Sequence, residues 1–75
     1  MTDKNIEVFK TNVQKESEAN KIILKLLGRF AYQNVNFDLE DCDKILRISH
    51  SQNINEENIV ETLESLGYFC QPLSD

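Results

Sequence analysis

Along this chain the spacing of apolar residues switches between two and three-to-four, and each switch marks an element. Over Ile6–Val13, Phe9, Thr11 and Val13 share one parity and Ile6 and Val8 the other. That alternation predicts a strand with apolar groups on both faces, as suits the interior of a sheet. Gln14–Ser17 is polar and predicts a connection, with Ser17 as the N-cap of a helix. Glu16 and Glu18 favour a helix start here through the macrodipole, and Lys15 opposes it. Ala19, Ile22, Ile23, Leu26, Leu27 and Phe30 then recur on one helical stripe, with Lys21, Lys25 and Arg29 toward the other side. Gly28 costs a helix about 1 kcal/mol against Ala, so the helix closes there or runs on to Ala31.

The period then returns to two. Val35, Phe37 and Leu39 alternate with Asn36 and Asp38, which predicts a strand with one buried face. Glu40–Asp43 reads as a turn, because Asx side chains bond their own backbone there. Lys44–Ser49 is the returning strand of a hairpin, with Leu46 and Ile48 toward the core and Ile45 and Arg47 opposite. Asn55 predicts an N-cap, followed by Glu56 and Glu57 in a first helical turn. Ile59, Leu63 and Leu66 repeat at helical spacing, and Gly67 supplies a left-handed stop. Tyr68–Gln71 is a last short strand, ended by Pro72. The order βαββαβ is the ferredoxin-like pattern, an α+β fold with a four-stranded antiparallel sheet and two helices on one face. In that arrangement we expect the hairpin's second strand and the last strand to be the two edges.

Length bounds the chain to a single domain over residues 1–75, with an ordered core over about 5–72. So short a chain buries only about 60% of its unfolded surface. It nonetheless carries 40% hydrophobic residues with two Gly and one Pro, which separates it from disordered sequences. The net charge of −5 argues against nucleic acid and against an anionic membrane surface as partners. Met1–Asn5 leads into no apolar run, so no secretory leader is expected, and a cytoplasmic location follows. Cys42 and Cys70, far apart in sequence, read as two reduced thiols.

The strand-loop-helix of Phe9–Leu27, the hairpin NFDLEDCDKILRI and the ending INEENIVETLESLGY follow one another at a spacing that resembles a heavy-metal-associated domain. This is the fold of copper chaperones and of the N-terminal modules of metal-pumping ATPases. The resemblance covers nearly the whole chain. It implies a Met-x-Cys-x-x-Cys motif just after the first strand, whose thiolates suit a soft ion such as Cu(I). Matching the junction puts Val13 at the motif's Met, which packs beneath the loop. Lys15 then falls at the first Cys and Glu18 at the second. Neither supplies sulfur, so the resemblance carries no metal ligand onto this chain. The motif is degenerate at Lys15 and Glu18, and no cofactor is expected.

Other chemistry is sparse. Cys42 reads as a small turn residue, Cys70 as a small packing residue and His50 as a solvated loop residue. Cys42, Cys70 and His50 lack the close-spaced pairs of a metal centre. Asp38, Glu40, Asp41 and Asp43 crowd the turn without the spacing of a calcium loop. No nucleophile elbow or phosphate loop is present, and acylphosphatase chemistry is an analogy of topology only. Lys15 and Glu18 can pair across one helical turn, worth about 0–1 kcal/mol. The basic side of the first helix and the acidic side of the second (Glu56, Glu57, Glu61, Glu64) are expected to attract along their rims. The open sheet face gathers Ile6, Val8 and Ile45 beside Arg47, a candidate surface for a protein partner or for self-association. The sequence thus reads as a non-enzymatic interaction or regulatory module. The alternative is a metal carrier that uses a non-standard site, with Cys42 or Cys70 drawn from two copies.

Overall fold

Phe9 in one strand and Leu46 in another stand directly opposite each other, and around this pair the core is assembled. The structure is a computed structural model and describes residues 6–30, 34–50 and 55–73. The elements are β1 (Ile6–Thr11), α1 (Glu16–Arg29), β2 (Asn34–Asp38), β3 (Ile45–Ser49), α2 (Glu56–Ser65) and β4 (Cys70–Leu73). All neighbouring strands are antiparallel, in the order β2-β3-β1-β4. One core cluster joins Phe9, Val35, Leu46, Ile48 and Cys70 of the sheet to Ala19, Ile22 and Leu26 of α1 and Ile59 and Leu63 of α2. Both helices therefore cover the same sheet face, and the fold is the ferredoxin-like α+β arrangement. Each fully buried Leu, Ile or Phe contributes about 1.5–3 kcal/mol to folding.

The edges differ from expectation. β2, the first strand of the hairpin, is an edge, and β3 lies inside between β2 and β1. β3 pairs with β2 on one side and with β1 on the other, and its Ile45, Leu46 and Ile48 are all buried. β1 is interior, as its two apolar faces require.

Element ends shift for local reasons. β1 stops at Thr11, because the Thr11 N–H donates to the Asp43 carbonyl (3.1 Å) and the Val13 N–H turns to the Thr11 hydroxyl (3.3 Å). α1 starts at Glu16 with Lys15 as N-cap, not Ser17, and the Lys15 carbonyl accepts the Ala19 N–H at 3.0 Å. Ser17 therefore sits inside the first turn. The helix passes through Gly28 to Arg29. β3 starts at Ile45, because Lys44 adopts a left-handed φ of 47°. β4 runs through Pro72 to Leu73; a proline is tolerated there because β4 is an edge strand. Leu27 and Leu66, expected in the core, are exposed, and Leu66 is the C-cap of α2.

Other local signals hold. Asn55 caps α2, its side-chain oxygen accepting the Glu57 N–H at 2.9 Å. Gly67, at φ 94°, closes α2. Its N–H donates to the Glu64 carbonyl and the Tyr68 N–H to the Leu63 carbonyl, each at 3.0 Å, which is the Schellman arrangement. Asp41 Oδ1 accepts the Asp43 N–H at 2.8 Å in the hairpin turn.

Candidate functional site

The junction between β1 and α1 is held from three sides. Thr11 is buried; its hydroxyl donates to the Lys44 carbonyl, and its N–H reaches Asp43 of the hairpin turn. Val13 is fully buried beneath the loop. The Asn12 side-chain oxygen accepts the Phe69 N–H at 2.9 Å, which binds the loop to the segment leading into β4. Lys15 is exposed and makes no side-chain cap bond. Glu18 is half-buried in the first turn of α1, beside Tyr68. Partial burial, then the Glu18 charge and its hydrogen bond, hold the Tyr68 phenol above its usual range. The junction thus carries an exposed ammonium, Lys15, and a carboxylate, Glu18, beside the Tyr68 phenol. None is a soft donor. Among the described residues no ion pair joins Lys15 to Glu18, or the basic side of α1 to the acidic side of α2.

The other candidate ligands do not meet. Cys42 is exposed in the hairpin turn, while Cys70 is buried in β4 opposite Thr11. Burial, then the Glu64 charge, push the Cys70 thiol up to about 12. Asp41, Cys42 and Asp43 do bring three ligand atoms within 4.8 Å of one another. Their geometry already has internal partners: Asp43 lies 3.7 Å from Lys10 Nζ, and Asp41 accepts a turn N–H.

His50 corrects its expected place in solvent. It is only 7% exposed, with Nε2 3.5 Å from Glu7 Oε2. Glu7 also bonds Glu56, whose carboxyl is raised first by that hydrogen bond, then by burial and by the Glu7 charge. Nothing local along the chain signals this cluster, because its members come from β1, the residue after β3 and the start of α2. Tyr68 was likewise missed. The pairing of Thr11 with Cys70 is what brings it to the junction.

On the sheet face away from the helices, Val8 stands opposite Arg47, and Ile6 opposite Ser49. Strand parity puts Ile45 on the same face as Arg47. Ile6 is exposed and Val8 half-buried. Ile45 is 7% exposed, so little of its side chain is left for a partner.

No family model and no curated protein sequence matches the chain. Among solved structures, the yeast copper transporter domain Ccc2A, determined in solution in its apo and Cu(I)-loaded states, is similar at a TM-score of 0.79. The match covers 97% of this chain and 99% of that one at 15% identity. At that identity the similarity establishes the fold: this chain shares the architecture of a copper-transporter domain from end to end.

Proposed function

We propose that this chain is a non-enzymatic, cytosolic interaction module built on the heavy-metal-associated scaffold without its metal-binding pair. The observation that carries this reading is the donor set at the β1–α1 junction. Lys15 and Glu18 occupy the two positions that the resemblance assigns to thiolates, and Glu18 is engaged with Tyr68. An ammonium repels a cation, and a carboxylate is a hard ligand poorly matched to Cu(I). What the scaffold then offers is surface. The sheet face with Ile6, Val8 and Arg47 is one candidate, although the burial of Ile45 trims its apolar area.

The alternative, a carrier with a non-standard site, draws on the Asp41–Cys42–Asp43 turn and on the Cu(I)-loaded state of the similar domain. Titration of the reduced, untagged protein with Cu(I) against a chromophoric chelator, and with Zn²⁺ by calorimetry, separates the two. Our reading expects no stoichiometric tight binding. Tight binding that is abolished by Cys42→Ser or Cys70→Ser overturns it.

A further inference from the structure

The two edges of the sheet are not alike. β4 carries Pro72, which has no N–H to offer a further strand. β2 has no proline, no lysine or arginine, and no bulge: its register with β3 advances one for one from Asn34 opposite Ser49 to Asp38 opposite Ile45. An edge without such guards is open to another strand. Beside it, between β2 and α1, lies a groove of about 440 Å³ with Ala19, Ile23, Phe37 and Leu39 as its apolar part. Asn36 and Asp38 also line it, although strand alternation puts their side chains on the face away from the helices. What they present to the groove is the backbone of the strand edge.

β2 is complementary to itself. A two-fold axis normal to the sheet must pass through a residue, because side chains alternate between faces and directly opposed residues share one. Centred on Asn36, it pairs every residue of the strand: Asn34 of each copy with Asp38 of the other, Val35 with Phe37, and Asn36 with itself. No like charges stand opposite each other. An amide meets a carboxylate at each end, and on the helix side a β-branched residue meets an aromatic ring, a favourable cross-strand pair.

The same axis runs the two α1 helices antiparallel, side by side. At about 100° per residue, Leu27 lies about 40° around α1 from Ile23, and Leu24 about 40° beyond Asn20. Leu24 is 72% exposed and Leu27 43%. Lys21 and Lys25 lie about 160° from Ile23 and Arg29 about 120°, on the far side of the helix. The flank facing the edge is therefore uncharged at Asn20, Ile23, Leu24 and Leu27. Glu16 lies at its N-terminal end, so the axis sets the two Glu16 at opposite ends of the contact.

We propose that two copies of this chain join edge to edge, β2 against β2 about Asn36, into one continuous sheet, with Leu24 and Leu27 of each helix over the other's groove. This rests on the reading of the chain as an interaction module, and it names the partner. The contact is isologous, so it closes at a dimer. One short strand and one helix flank form a contact at the small end of specific interfaces, so the dimer is weak and reversible. Each copy carries a net charge of −5 and the contact joins no opposite charges, so salt tightens the dimer by screening.

Sedimentation equilibrium of the untagged, chelator-treated chain, from micromolar to millimolar concentration, is the test. We expect a reversible dimer that tightens with salt, and amide exchange in β2 that slows with concentration while exchange in β4 does not. Asn34→Asp sets two pairs of carboxylates opposite each other and should weaken the dimer at least about fivefold. Adding Asp38→Lys to that variant turns both pairs into opposite charges and should restore it, which also shows that the first loss is not unfolding. Leu24→Asp, at an exposed position, should leave a monomer. A chain that stays monomeric throughout overturns the proposal. So does a dimer weakened by salt, one indifferent to Asn34→Asp, a double variant that stays weak, or a dimer lost on Ile6→Asp but not on Leu24→Asp. A dimer that forms only when Cu(I) is added overturns the metal-free reading instead, so the two failures are distinguishable.

Discussion

The side-chain oxygen of Asn12 accepts the backbone N–H of Phe69 at 2.9 Å, joining two loops 57 positions apart. The bond is exposed, yet it ties the β1–α1 loop to the segment entering β4. A net contribution of about 0.5–1 kcal/mol is expected for such a bond. Asn12→Ala should lower stability by that amount in urea unfolding. It should also speed amide exchange at Phe69 more than at the β4 amides. Unchanged exchange at Phe69 would mean the loops are held by packing alone.

Thr11 serves the same region from inside. Its hydroxyl donates to Lys44, whose left-handed backbone shapes the end of the hairpin turn, and accepts from Val13. Thr11→Val keeps the shape and removes both bonds, leaving polar backbone groups without partners in a buried place. The expected loss is about 1–3 kcal/mol, read from the urea midpoint. For a domain this small, that is a large share of its margin.

Which features could be read from the sequence follows the range of the forces that set them. Asn55, Gly67 and the Asp41 turn were legible because each bonds backbone a few residues away. The helical stripe Ala19–Ile22–Leu26 was legible because a period of 3.6 is local. The position of β3 inside the sheet was not, because pairing with β1 is a long-range choice that the hairpin alone does not reveal. His50 illustrates the same limit. Nothing near it in sequence announces Glu7, yet Glu7 stands opposite Ile48 in the register and the strands bring the two side chains together. At the junction, Lys15 and Glu18 were identified by position, but the tyrosine beside Glu18 comes from the far end of the chain.

Gly28 lies within α1, and a Cβ built there meets nothing within 4 Å. No positive φ or close approach requires glycine at this position. Gly28→Ala should therefore stabilise the protein by about 0.5–1 kcal/mol, through lower unfolded-state entropy and better helix propensity. A rise in the thermal midpoint with no change in the denaturant slope is the expected signature. A loss of stability would show that the helix end must bend at this point.

Glu56 and Glu7 place two carboxyls together beside His50, and the Glu56 carboxyl titrates above its ordinary value of 4.5. The folded state therefore holds this proton more tightly than the unfolded state does. The resulting stabilisation is fully present below the ordinary value and is lost as pH rises through the raised folded value. Glu56→Gln removes the charge that causes the loss. It should raise the urea midpoint at neutral pH, with the gain shrinking as pH falls through the raised folded value and gone below the ordinary value of 4.5. A gain independent of pH would mean that the Glu7 charge is not its cause.

The two thiols should behave as different chemical species. A thiolate is the reactive form, and Cys70 is buried with its thiol pushed up to about 12, by burial first and then by Glu64. Cys42 is exposed in the hairpin turn. With an aromatic disulfide reagent at neutral pH, one equivalent should react quickly, and Cys42→Ser should abolish that phase. The second equivalent should appear only at the rate of unfolding, and urea should bring it forward. Glu64→Gln should leave this slow phase in place, since the neighbouring charge is the smaller cause and burial the larger. Rapid modification of Cys70 in the native protein would mean that the β4 edge opens readily, and the core packed against it would then have to be looser than the fully buried Phe9 and Leu63 require.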